Sequence, residues 1–464
     1  MISRDLLISR RNSLKQLLKT GVVVLLGNRD VPFNYAANHY DYRQDSNFLY
    51  FFGIDRAGVS AVIDIDNNRE TLFGDDAGIS DIIWTGEQET VNDAAADCGV
   101  ESAAPYGDLQ KAITVCLEAK REIHFLPFYR NAGLIEMGEL LNIPISEVNQ
   151  NVSSAGVKAV IQLRSRKDDE EIAELTAAVD IARDMHVTMM QMAKSGITEQ
   201  EIAGQLRGIA FSRGTALSFP PIISVDGQIL HNLNYANSLA NGRMLLADAG
   251  AENNAHYVSD ISRTVPVGGK FSTRQKEIYE IVLKANAESI EQIRPGMLFR
   301  DIHLNCARII ADGLKSLGLM KGDMEEAVAE GAQALFFPHG LGHMLGLDAH
   351  DMEGLGEDHV GYNDEIRRAS QFGLASLRLG KKLEERFVVT IEPGIYFIPL
   401  LIEQWKQAGK WSRFINFEKV ETYTDFGGVR IEDNIVVTSD GQLNLSREIP
   451  KSVAEIESVM SQIE

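Results

Sequence analysis

The stretch LLADAGAENNAHYVSDISRTVPV, residues 245–267, sets two aspartates in apolar, strand-like surroundings. Asp248 closes the run MLLADAG, Asp260 opens the next run, and a polar, turn-rich stretch separates them. This pattern predicts a hairpin, which places both carboxylates at one end of a strand pair. Three further segments repeat the theme: HGLGHMLGLDAH (339–350), VVTIEPGIYF (388–397) and GGVRIEDN (427–434). In chain order they nominate Asp248, Asp260, His343, Glu392 and Glu432 as candidate metal ligands.

Four carboxylates and one imidazole form a hard, oxygen-rich donor set. That set suits Mn²⁺, with Co²⁺ or Fe²⁺ as alternatives, better than a structural zinc, which favours sulfur and nitrogen. Carboxylates can bridge, so such a set can hold two cations about 3.5–4 Å apart and turn a shared water into a nucleophile. Each segment alone has a plain structural reading: DAG is a strand-end turn, HxxxH pairs are common, and the Glu of RIEDN can be a solvated strand-end charge. Their order and their apolar contexts together favour the metal reading. Competing motifs fail: HGLGHMLG lacks GxGxxG spacing, GGKFS (268–272) lacks the upstream glycine of a phosphate loop, and no GxSxG occurs. His39, His124, His186, His256, His303 and His359 have no motif context and read as structural.

Working outward, residues 1–160 alternate short β-branched runs with helical stretches. The runs are VVVLLG (22–27), VSAVIDID (59–66) and REIHFLPF (121–128); a helical stretch is DLQKAITVCLEAK (108–120). This alternation predicts an amino-terminal α/β domain with a parallel or mixed sheet. The charged run LRSRKDDEE (163–171) marks the junction with a second domain, residues 161–464. There the succession of helix, glycine break, helix and strands occurs twice. The first copy breaks near Ser195-Gly196, the second at Arg294-Pro295-Gly296, and capping boxes open helices at Thr198 and Ser272. The first copy delivers Asp248 and Asp260 and the second His343 and Glu392, which predicts two similar halves facing one site.

Composition bounds the partners. A chain of 464 residues exceeds one ordinary core. Its net charge of −21 argues against nucleic acid, which needs clustered Lys and Arg. Three scattered cysteines, Cys98, Cys116 and Cys306, support neither a disulfide framework nor a thiolate site. The start is charged without a signal-like apolar core, and no run is long enough to span a bilayer, so a cytoplasmic protein without membrane contact is expected.

At these residues the chain resembles the M24 metallopeptidase family, specifically its proline peptidases, over nearly its whole length. YRQDSNFLYFFGI (42–54) is similar to the amino-terminal domain of aminopeptidase P and long prolidases. The resemblance implies a pseudo-symmetric pita-bread catalytic domain behind the α/β domain. It also implies two divalent ions per subunit, Mn²⁺ first, with Co²⁺, Fe²⁺ or Zn²⁺ as alternatives. Asp248 would chelate one ion, Asp260 and Glu432 would bridge both, and His343 and Glu392 would complete the ligand set of the second ion, Glu392 also exchanging protons with the bridging water. His231 matches a substrate-binding histidine, His339 and His350 the pocket and carbonyl-stabilising histidines, and Tyr396 and Arg430 supporting positions. Trp84 resembles a tryptophan that reaches a neighbouring subunit's site, implying a dimer or tetramer.

The implied activity is Xaa-Pro aminopeptidase, acting on peptides with proline in second position. GLASLRLGKKL (373–383) and the long segment 397–428 also resemble Xaa-Pro dipeptidases, which is the alternative. The stretch between Glu392 and Glu432 is expected to set substrate length. A non-catalytic binding module and a metal-free creatinase-like enzyme are disfavoured, because all five ligand positions are filled.

Overall fold

The computed structural model describes residues 2–461. The chain divides into two compact units. One runs to Arg164 and includes Met352–His359; the other comprises Ser165–Asp351 and the chain from Val360 onward. The helix Ser154–Ser165 spans the expected junction.

In the first unit the run VVVLL forms a wholly buried strand, Val22–Leu26, because both its faces are apolar. It pairs antiparallel with Ser60–Asp64 and parallel with Ile123–His124. Arg69–Phe73 and Ser102–Ala104 extend the sheet to five strands, so it is mixed. Leu109, Ile113 and Cys116 of the helix Asp108–Glu118 pack on Val22, Val24 and Leu26, together with Met137 and Leu140 of Asn131–Leu141. The strand expected over 121–128 shrinks to two residues. Pro127 has no N–H for a ladder, and the Phe128 N–H goes to the Asn149 side chain at 3.1 Å.

In the second unit both halves open with capped helices. Asp168 and Glu171 cap Asp169–Met192, Thr198 and Glu201 cap Glu199–Arg213, and Ser272 and Gln275 cap Thr273–Glu291. The fourth helix is Phe299–Ser316. The internal repeat extends to individual hydrogen bonds. Gly196 and Gly296 take φ of 94° and 87°, the left-handed region that glycine enters without strain. The Gly196 N–H donates to Leu239 O and the Leu239 N–H returns to Ile197 O; Gly296, Leu383 and Met297 do the same. Each half then supplies a three-stranded antiparallel sheet. The orders are Ile261–Pro266, Met244–Ala249, Ile222–Ser224 and Val388–Ile391, Asp433–Val437, Gln442–Asn444. The two sheets are joined at their strand ends: the Glu432 N–H donates to Ser262 O, and Asn434 exchanges hydrogen bonds with the Asp260 backbone.

The long segment 397–428 folds into the helices Pro399–Gln407 and Phe417–Glu421 and buries aromatic rings against its own unit. Trp405 stands 4.9 Å from Trp411, and Phe397 stacks on Tyr423 at 4.9 Å. Among the described residues no helix is long and apolar enough to cross a membrane.

Arg11 is fully buried in the first unit, bonded to Phe51 O at 2.8 Å, Cys98 O at 2.9 Å and Glu70 at 2.7 Å. Arg11→Met strands those carbonyls, so urea denaturation should show a loss of about 3 kcal/mol.

Candidate metal centre

The predicted hairpin forms: Met244–Ala249 pairs with Ile261–Pro266, and Asp248 faces Ser262 across the ladder. All six residues of each strand are buried, including their polar ones. Asp260, Ser262 and Thr264 alternate along one face, so their side chains meet the second half of the unit. HGLGHM lies extended along Val388–Ile391: the His343 N–H reaches the Thr390 hydroxyl at 3.1 Å, and the Glu392 N–H reaches Leu341 O at 2.8 Å. Gly342 permits this approach, since a Cβ there would fall 2.0 Å from Thr390 O.

These elements bring Asp248, Asp260, His343, Glu392 and Glu432 to one cavity of about 760 Å³. His231, His339, His350 and Arg430 line it as well. Ligand atoms of Asp260, His343 and Glu432 all lie within 4.8 Å of one another. His343 Nε2 stands 3.5 Å from Asp260 and 3.7 Å from Glu392. Its Nδ1 lies 2.9 Å from Met344 O. A carbonyl only accepts, so Nδ1 carries the proton and Nε2 turns its lone pair to the carboxylates when the ring is neutral.

Arg430 organises one wall. It donates to Asp248 Oδ2 at 2.6 Å, Ser262 Oγ at 2.9 Å and Tyr396 Oη at 2.9 Å. The Ser262 hydroxyl then donates to Glu432 at 2.9 Å. The His339 Nδ1–H donates to Gly340 O at 2.8 Å, so its Nε2 accepts from the Tyr396 hydroxyl, also at 2.8 Å. Tyr396 is fully buried and bonds His339 and Arg430 without lining the cavity. His350 stacks edge-on to His343, with ring centroids 4.4 Å apart, and His231 sits exposed on a loop at the rim.

Burial raises the proton affinity of Asp260, Glu392 and Glu432 above the carboxylate range, and for Glu432 the neighbouring carboxylates are the next cause. Burial also lowers His339 to about 3, with the Arg430 charge next in weight, and His350 to about 2, with His343 next. Both imidazoles are therefore neutral at pH 7. The donor set fits a pair of hard divalent cations. Three carboxylates are held in protonation-prone surroundings that a cation would relieve, and Asp248 Oδ1 is buried with no hydrogen-bond partner.

Several contributing residues escaped the sequence reading: Ser262, Thr264, Thr390 and Asn434, which hold the acidic residues or their strands. The available signal was polar residues alternating within strands otherwise wholly buried. Of the stretch between Glu392 and Glu432, expected to set substrate length, Arg430 lines the cavity, while its described lining takes no residue of 397–428. The wall takes Ser376 and Arg378 from GLASLRLGKKL, and Phe219, Pro220, Ile222, Leu230 and Leu233 from the first half. Among the histidines read as structural, His186 bonds Ala249 O at 3.0 Å, His124 bonds Ser153 at 2.7 Å and His256 bonds Glu252 at 2.7 Å, while His303 packs beside Phe337 at 5.3 Å.

The sequence pattern of Metallopeptidase family M24 matches residues 173–439, and that of the amino-terminal domain of aminopeptidase P matches residues 7–124. A probable Xaa-Pro aminopeptidase of Coccidioides posadasii is 32% identical over 455 residues, covering 96% of this chain and 93% of its own. Another from Sordaria macrospora is 32% identical over 426 residues, covering 91% and 87%. The structure of aminopeptidase P from E. coli matches with a TM-score of 0.82 at 28% identity, covering 100% of this chain and 99% of its own. With that cavity in its second unit and these matches along its length, the chain belongs to metallopeptidase family M24 and carries an aminopeptidase P-type domain ahead of the catalytic one.

Proposed function

We propose that this chain is an Xaa-Pro aminopeptidase that releases the amino-terminal residue of peptides with proline in second position. The observation that carries this reading is the convergence of four carboxylates and an oriented imidazole on one cavity, with three further histidines around it. The relatives that match over nearly the whole chain are named for the same activity. Asp248, Asp260, His343, Glu392 and Glu432 would hold two divalent cations, Mn²⁺ first on the chemistry of the donors. When bound, such a pair supplies Lewis acidity that makes water nucleophilic at neutral pH and polarises a carbonyl.

The chain's own groups do the rest. Glu392 faces the cavity, which places it to take a proton from the attacking water and deliver it to the departing proline nitrogen. Neutral His350 offers an N–H to the carbonyl oxygen as negative charge develops there. His339, held by Tyr396, shapes the pocket, and His231 meets the substrate at the rim. Arg430 fixes Asp248 and Tyr396 together. An Xaa-Pro bond has no N–H to grip, and its ring fixes φ. The apolar wall of Phe219, Pro220, Ile222 and Leu230 suits that ring without needing the missing donor.

A second copy of the chain is the proposed partner. The short helix Ile79–Thr85 buries none of its side chains; Ile79 is 79%, Ile83 72% and Trp84 84% exposed. An apolar patch of this kind marks an interaction surface. Free, buried Cys98, Cys116 and Cys306 fit the reducing cytoplasm we assign it.

With Mn²⁺ supplied, an Xaa-Pro-Yaa-Zaa peptide should lose its first residue at least tenfold faster than an Xaa-Pro dipeptide is cleaved; chromatography of products decides, and cleavage of the dipeptide alone refutes the aminopeptidase reading. His350→Ala should lower kcat about 10²–10³-fold with the metal content unchanged. Asp260→Asn should abolish turnover and reduce bound Mn²⁺ by elemental analysis. The same change carries a signed stability effect. A carboxyl whose folded pKa is raised stabilises the fold below its unfolded value, and that contribution is lost as pH rises through the folded value. Calorimetry of chelator-stripped protein at pH 7.5 should therefore show Asp260→Asn melting about 3 °C or more above the parent, the difference closing towards pH 4. Trp84→Ala should shift the chain to smaller species in sedimentation; an unchanged profile rejects that helix as the contact.

A further inference from the structure

We propose that Asn286 is a positioning residue that sets the spacing between Glu392 and Glu432, an inference that rests on the metal reading of their cluster. Asn286 lies on the helix Thr273–Glu291 with no solvent exposure. Its side-chain Nδ2 donates to Ile391 O at 3.0 Å and to Ile431 O at 3.4 Å. Those residues immediately precede Glu392 and Glu432. One amide thus ties together the two backbone positions from which both glutamates project.

The location matters because strand pairing lapses there. One ladder ends at Ile391 opposite Asp433, and the next begins at Gly394 opposite Arg430. Between them, Pro393 has no N–H to give, and the Ile431 N–H reaches Pro393 O at 3.3 Å. The glutamates therefore stand in the interval between two ladders, and Asn286 spans that interval from outside the sheet.

The orientation of the amide follows from its partners. Lys451 Nζ lies 2.8 Å from Asn286 Oδ1, and an ammonium only donates, so Oδ1 faces the lysine and the NH₂ faces the two carbonyls. Lys451 also bonds Asp433, which pairs with Arg263 at 2.8 Å, and Arg263 donates to Glu432 O at 2.7 Å. The clamp is anchored at its far end to the glutamate it positions. Groups that orient metal-binding side chains typically change metal affinity or activity about 10–100-fold when lost.

The test uses Asn286→Ala and Asn286→Asp in the full chain, stripped by chelator and titrated calorimetrically with Mn²⁺, alongside kinetics on an Xaa-Pro-Yaa-Zaa peptide. Both variants remove the donated amide bonds; the Asp variant keeps the side-chain shape and decides the matter if the Ala variant does not fold. The expected result is at least a tenfold weaker second Mn²⁺ and a tenfold lower kcat, with KM within about threefold of the parent. Mn²⁺ affinities within twofold of the parent overturn the inference, and so does a lower melting temperature with Mn²⁺ binding unchanged, since a purely structural amide would give that. If the parent itself binds no Mn²⁺, the metal reading fails and takes this inference with it, an outcome distinct from equal binding by parent and variants.

Discussion

Crowding of acidic side chains at one largely buried site is the constraint around which the second unit is built. Asp248, Asp260 and Glu432 are nearly inaccessible to solvent, and Glu392 shares their cavity. Like charges at that distance in a low-dielectric setting repel strongly, so they stay together only where cations, hydrogen bonds or protons compensate them. Arg430 supplies one compensation at Asp248, and Ser262 relays a hydrogen bond to Glu432. Raised proton affinity supplies another and signals that the protein alone leaves the cluster under-compensated. A hydrophobic surround makes the cluster costly to hold and correspondingly avid for hard cations.

The doubled architecture distributes that cost. Neither half contains the whole set: the first brings two aspartates on a hairpin, the second a histidine from an extended segment and two glutamates beside strand ends. Bonds between Ser262 and Glu432, and between Asp260 and Asn434, fasten the halves at the residues that matter. Behind this seam the fully buried pair Arg263–Asp433 holds the Glu432 backbone from the other side. The neutral histidines follow from the same desolvation, which keeps His339 and His350 uncharged and leaves them as hydrogen-bonding groups.

Legibility from sequence tracked the range of the interaction involved. The hairpin around Asp248, the capping boxes at Thr198 and Ser272, and the breaks at Gly196 and Gly296 are local events, decided by neighbours within a few residues, and they stand where the pattern placed them. The run 121–128 was overestimated as a strand because apolarity outweighed Pro127 in the reading. Ser262 and Thr390 offered only the signal of a polar residue in an apolar strand, and Asn286 offered none, because a hydroxyl or amide in a buried element acquires its role from what stands opposite. The segment 397–428 looked like a specificity element because it is long and lies between two acidic residues. In space its aromatic residues pack with one another, and the cavity wall comes from elsewhere.

By itself the sequence determined the inventory: which residue types are present, in what order, and on which kinds of local element. Carboxylates and histidines in apolar strand contexts announce their chemistry, because burying them has no other ready physical excuse. Only the tertiary structure decided which of them meet, which nitrogen of His343 faces the acids, and which amide spans the gap between Glu392 and Glu432. The meeting of Asp248 with Arg430 and the span of Asn286 depend on hydrogen bonds between residues more than a hundred positions apart, whose partners exist only after the two halves have closed on one another.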